Sequence, residues 1–246
     1  MISRFTVQTL AIIVAVASLV GILETAAKAA PVTVRSHSFE SPFKADTGGF
    51  AVHYATAPDG WVKTSGPGIF GVVNPADRNT YANSDDAGAN GGTLPNMDGV
   101  QLGFITGKNA ADTVIEQKLF MYQVADNTTY TATMALGARS LGTQWENGTY
   151  GYELALVTDS GVASSVTGNS ADIAAGTFND VSTSFDNVGS AQSGSSLTIR
   201  YTLIGDANGG NGDFDNVRLD ASVIPEPATL ALFGLGGLLV LLRRRR

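Results

Sequence analysis

The chain has 246 residues and no cysteine. Disulfide frameworks, thiolate metal sites and cysteine nucleophiles are therefore excluded. It has two histidines, His37 and His53, too few for a multi-histidine metal centre within one chain. Charged residues make up only 15%, and acidic ones outnumber basic ones, 22 to 15. The net charge of -7 argues against nucleic acid as a partner. No G-x-S-x-G elbow and no H-E-x-x-H appears. No apolar run reaches the roughly 20 residues of a stable membrane span. Glycine is abundant, with 29 residues, and hydrophobic residues reach 43%.

The two ends read as addresses. Met1-Ile2-Ser3-Arg4 precedes an apolar stretch from Leu10 to Leu23, and Ala27-Lys28-Ala29 follows. A positive start, an apolar centre and an A-x-A site form a secretory signal peptide, an N-terminal helix for signal peptidase to remove after Ala29. An uncleaved anchor is the alternative. At the other end, Ile224-Pro225-Glu226-Pro227 precedes uncharged residues from Ala228 to Leu242, then Arg243, Arg244, Arg245 and Arg246. By the positive-inside rule the arginines stay cytoplasmic, so this segment is a short transmembrane helix that stops export.

Pro225-Glu226-Pro227, a short glycine-bearing apolar run and a terminal arginine cluster resemble the PEP-CTERM sorting signal of Gram-negative bacteria. The resemblance covers Val223 to Arg246. It implies recognition and removal of the tail by an exosortase-like membrane protease, leaving no span in the mature protein. The domains are then 1–29 signal peptide, 30–222 body and 223–246 sorting segment. Between Ala30 and Ser222 lie nine basic and twenty acidic residues, a net of -11. Such a body repels nucleic acid and anionic lipid and suits divalent cations and neutral polymers.

No stretch of the body holds a helical period over three turns. Short β-branched and aromatic runs recur between Gly, Asn, Asp and Ser clusters. They predict strands near 32–40, 68–73, 99–106, 113–121, 128–139, 149–158, 177–185, 196–204 and 213–221. Alternation is clearest in Leu197, Ile199, Tyr201 and Leu203, and in Tyr152, Leu154 and Leu156. The expected fold is all-β, a two-sheet β-sandwich or jelly roll. The segments 74–98 and 161–176 read as long loops.

Several patterns resemble the galactose-binding-like jelly rolls that include many carbohydrate-binding modules. They are Ser38-Phe39-Glu40-Ser41-Pro42, Gly60-Trp61, Gly99-Val100-Gln101-Leu102, Ile115-Glu116-Gln117-Lys118-Leu119, Tyr130-Thr131-Ala132-Thr133-Met134, and Asp213-Phe214-Asp215-Asn216-Val217-Arg218-Leu219. The resemblance implies a structural calcium joining Glu40 to Asp215. Asp213 is a possible third carboxylate. Strand parity puts Asp215 with Val217 and Leu219, on an apolar face where a bare carboxylate is costly. Backbone amides or an arginine are the alternative partners for both carboxylates.

A sugar surface would need exposed aromatic rings. Trp145, in the polar loop 142–148, is the leading candidate. Tyr150 and Tyr81 are weaker ones. Arg139, ending an apolar strand, either holds a carboxylate or a sugar hydroxyl, or simply reaches water. Trp61 and His37 read as structural. Pairs such as Glu146 and Glu153 show no spacing that marks a glycosidase. The sequence therefore predicts an exported, non-catalytic protein of the cell surface or extracellular matrix, carrying a carbohydrate-binding-like domain and meeting exopolysaccharide. A matrix or biofilm protein without a small-ligand site is the alternative. A glycoside hydrolase or lyase is the remote one.

Overall fold

A computed structural model describes residues 29–41, 52–53, 57–74, 96–106, 111–139, 150–189, 191–205 and 211–224. The signal helix and the C-terminal helix fall outside these residues. Among the described residues no helix is long and apolar enough to cross a membrane. Ala30–Ala221 forms one compact unit.

Among the described residues the body is a two-sheet sandwich of strands with a single 3-10 turn, Ser170–Asp172. The strands are β1 Ala30–Val32, β2 Val52–His53, β3 Val62–Ser65, β4 Phe70–Val73, β5 Leu102–Thr106 and β6 Thr113–Gln123, then β7 Thr128–Ala138, β8 Gly151–Thr158, β9 Gly161–Asn169, β10 Thr177–Asn187, β11 Ser196–Ile204 and β12 Asn211–Val223. One sheet runs β10-β7-β12-β5-β4-β2, with β1 also on β12. The other runs β3-β6-β11-β8-β9. The all-β sandwich expected from the strand patterns is what forms. Leu197, Ile199, Tyr201 and Leu203 all point into the core between the sheets, as their alternation requires.

The first strand does not extend to Glu40. It stops at Val32, and Arg35–Ser38 turn. Ser36 and Phe39 adopt positive φ, 43° and 56°. The Gln117 side-chain amide holds this turn. Its Oε1 accepts from the Arg35 amide and its Nε2 donates to the Arg35 carbonyl, each at 2.8 Å. The expected loop 161–176 contains β9, which pairs along the whole of β8. Its serines and glycines carry no apolar period because it is an exposed sheet edge. Exposed β3 was missed for the same reason.

Phe214 is the hub of the core. Its ring lies 5.0 Å from Phe39 in a T-shaped contact, 5.1 Å from Tyr201, 6.2 Å from Phe70 and 6.4 Å from Trp61. Gly103 lies beneath it, and a Cβ there would come within 2.5 Å of the ring. Trp61 is buried and donates from Nε1 to the Arg35 carbonyl at 3.2 Å, in keeping with a structural role. Phe214→Ala should cost about 3–5 kcal/mol in denaturant unfolding. A loss below about 1 kcal/mol would show that the ring is not the hub.

Candidate active site and acidic centre

Phe214 points into the core, so its strand neighbours Asp213 and Asp215 point to the opposite side of the sheet. Parity placed Asp215 with Val217 and Leu219, and the structure corrects this. Asn216 has a positive φ of 46°, which interrupts the alternation. Phe214, Val217 and Leu219 therefore share the inter-sheet core without Asp215.

Asp213 does not join a metal set with Glu40 and Asp215. Arg139, just past the end of β7, takes both its oxygens, with Nε on Oδ2 at 2.7 Å and Nη2 on Oδ1 at 2.8 Å. Both side chains are shut from solvent, at 2% and 0% exposure. Arg139 thus holds a carboxylate and does not reach water as a strand-end charge. Phe104 stands directly across from Asp213 in the β12–β5 register. Phe178 stands across from Gly137 in the β10–β7 register, two residues before Arg139. Both rings belong to a second apolar cluster with Val73, Met97, Leu102 and Ala135. The outer face of the seven-stranded sheet therefore carries a buried ion pair between apolar aromatic walls.

Beside it lies an acidic centre. Glu40 Oε1 accepts from the amides of Val100 and Gln101, each at 2.7 Å. Gly99, at φ 94°, must lack a side chain, because a Cβ would fall 2.3 Å from that oxygen. Asp215 Oδ2 accepts from the Asp98 amide at 2.6 Å, while its Oδ1 is buried with no hydrogen-bond partner. Burial, with the charges of Asp98 and Glu40, pushes the Asp215 carboxyl up to about 8, against the opposing amides of Asp98 and Asn216. Burial also raises Glu40, against its two amide donors. His37 Nε2 stands 3.2 Å from Asp98, both half-exposed.

An orphaned carboxylate oxygen in an all-oxygen setting fits a hard divalent cation. Among the described residues no group of three or more acidic or imidazole side chains could hold a metal. A cation here would take Glu40, Asp215, backbone carbonyls and water.

Two residues of the expected sugar surface, Tyr150 and Arg139, are buried. Tyr150 is a core residue whose hydroxyl donates to the Gly137 carbonyl at 2.8 Å, and burial raises its hydroxyl above the usual range. Its place just ahead of β8 was legible, but its inward face was not. Trp145, Tyr81 and the sorting residues Pro225, Glu226, Pro227 and Arg243 to Arg246 lie outside the described residues. A groove of about 300 Å³ runs beside β1 and the far half of β12, past His37, and reaches neither Arg139 nor Asp213.

Residues 30–220 match the family described as HpiC1 cyclase. The chain belongs to the HpiC1-like family. Residues 223–246 match the PEP-CTERM protein-sorting motif, which implies export, sorting to the cell envelope and processing by exosortase-type machinery. No curated protein matches the chain. A cyclase from Fischerella sp. TAU, solved in complex with 4-(1H-indol-3-yl)butan-2-one, is 21% identical. The match covers 80% of this chain and 100% of that one, with a TM-score of 0.61. The Stig cyclase Fisc from the same organism, in complex with (3Z)-3-(1-methyl-2-pyrrolidinylidene)-3H-indole, is 20% identical over 80% of this chain and 99% of that one, with a TM-score of 0.58. These two share the fold. Carbohydrate-binding modules are also structural neighbours. The CBM22-1 xylan-binding domain from Paenibacillus barcinonensis Xyn10C is 13% identical over 82% of this chain and 98% of that one. Its TM-score of 0.45 is too low to carry a functional inference.

The expectation of a non-catalytic protein is overturned by this family membership, which places an HpiC1-like cyclase family across nearly the whole body. Arg139 and Asp213 are 74 residues apart and form no motif.

Two outcomes follow from this geometry. Arg139→Met alone should cost about 3–5 kcal/mol, because it leaves Asp213 buried and unpaired, whereas Arg139→Met with Asp213→Leu should recover most of that loss. Denaturant unfolding of both variants checks this, and a double variant no more stable than the single one would contradict it. In chelator, the melting temperature should fall as pH rises from about 4 to about 8. Over that range the folded state holds a proton on Asp215 that the unfolded chain has already released. Asp215→Asn should flatten this slope, and an unchanged slope would count against it.

Proposed function

We propose that the exported body is a cyclase acting on a small, largely apolar substrate with an aromatic ring, on the outer face of the seven-stranded sheet. The observation that carries this is the buried Arg139–Asp213 pair beside Phe104 and Phe178. Ring closures of electron-rich aromatics develop positive charge. A fixed carboxylate and aromatic rings in a water-poor site stabilise such charge most strongly. Arg139 holds the Asp213 carboxylate in one orientation through two parallel bonds, so little reorganisation is needed as charge appears. The indole ligands of the two Fischerella cyclases support an indole-bearing substrate.

Calcium at Glu40 and Asp215 is part of the same reading. The ion would supply charge and rigidity to the segment 96–101, which packs beside the reaction face. Its ligand Asp215 must be ionised, so binding near neutral pH releases a proton. Glycan binding loses Tyr150, which is in the core, from the rings expected to support it.

Titrating 4-(1H-indol-3-yl)butan-2-one into the calcium-loaded protein tests the proposal by calorimetry. Saturable binding is expected, weakened at least tenfold by Asp213→Asn. No binding to wild type, or equal binding to a folded Asp213→Asn protein, would overturn it.

A further inference from the structure

The end of the sandwich where β6 turns into β7 and β8 into β9 carries two costs at one place. Ser196 of β11 pairs with Gln123 and Thr198 with Lys118, so Leu197 alone stands opposite residues 119–122 of β6. The extra residues bulge outward. Phe120 is 67% exposed and Met121 fully so, and Met121 adopts a φ of 65°. Left-handed backbone is strained for a side chain of this kind, and exposing a phenylalanine beside a methionine forgoes burial. Strain held together with exposure marks a functional tip.

Other tips at this end share the chemistry. Val162 follows the β8–β9 turn and Val188 follows β10, both more than half exposed. They belong to this end because Leu197 pairs with Thr158, which pairs with Gly161, and because Asn187 pairs with Thr128. Arg35 lies 5.9 Å from the Phe120 ring centre, and Lys118 precedes the bulge. The acidic residues here are engaged. Asp126 accepts from Ser193, Asp159 from Ser196 and Asp186 from Thr129, while Asp59 pairs with Arg35.

We infer that this end dips into a lipid bilayer surface, with Phe120 and Met121 entering the acyl boundary and Arg35 and Lys118 at the headgroup phosphates. Separate apolar tips on separate turns suit a fluid surface that closes around each of them, whereas a protein partner would need a matching pit for each. Aromatic and cationic side chains together favour the membrane interface. The sorting segment sends the chain to the envelope, where a bilayer is at hand. The acidic body directs the contact to zwitterionic headgroups rather than anionic ones.

The absence of cysteine allows single-site labelling of the full chain. Met121→Cys carries an environment-sensitive dye, and Ala175→Cys, at the opposite end of the strands, carries the same dye as a control. With phosphatidylcholine vesicles, the dye at 121 should shift to the blue and be quenched by lipid-borne doxyl groups. The dye at 175 should remain as in water. Adding Phe120→Ser should reduce the vesicle affinity read at 121 at least tenfold. An aqueous spectrum at 121, equal shifts at both sites, or a shift without vesicles that grows with protein concentration would each overturn the inference.

Discussion

The alternation of side chains along β12 is the constraint on which the rest depends. An interior strand sends neighbours to opposite faces. Once Phe214 fills the centre of the core, Asp213 and Asp215 must both be buried on the other side. A buried carboxylate is costly unless something answers its charge. The chain answers twice. Arg139 pairs with Asp213 through two short bonds. Backbone amides and a raised proton affinity answer Asp215. The positive φ of Asn216 then returns Val217 and Leu219 to the core.

The two answers have different consequences. The Arg139–Asp213 pair is fixed, since neither group can leave the other without stranding a buried charge. The Glu40–Asp215 centre is adjustable, because burial raises the proton affinity of both carboxyls. The turn at Arg35–Ser38 ties them to the rest of the fold. Gln117 and Trp61 clamp its backbone, Phe39 packs on Phe214, and Glu40 is thereby delivered to the amides of Val100 and Gln101. The core, the acidic centre and the Arg139–Asp213 pair are consequently parts of one packing arrangement.

Much of the fold was legible because a half-buried strand writes itself as alternation. Leu197 to Leu203 in β11 show this. Edge strands β3 and β9 were not legible, because they bury too little to need apolar residues. The site was legible in its residue types, and its partners only as alternatives: a carboxylate for Arg139 and backbone amides for Glu40 and Asp215. Asp213, Asp215, Glu40 and Arg139 were all singled out. Yet Asp213 belongs to Arg139, and Asp215 changes face through a backbone angle that asparagine tolerates but does not announce. Tyr150 looked like a surface ring because it precedes a strand beside a polar loop, and its hydroxyl instead satisfies a buried carbonyl. The cyclase family was missed because membership in it shows in no nucleophile motif.

The most direct test of a reaction face built on the ion pair is turnover. A linear 3-alkenyl indole incubated with the calcium-loaded protein should yield a cyclised isomer of equal mass and altered retention in chromatography coupled to mass spectrometry. The isosteric Arg139→Met and Asp213→Leu double variant keeps the fold while removing the charges, and it should give none. Formation of the isomer by that variant at the wild-type rate would contradict the account.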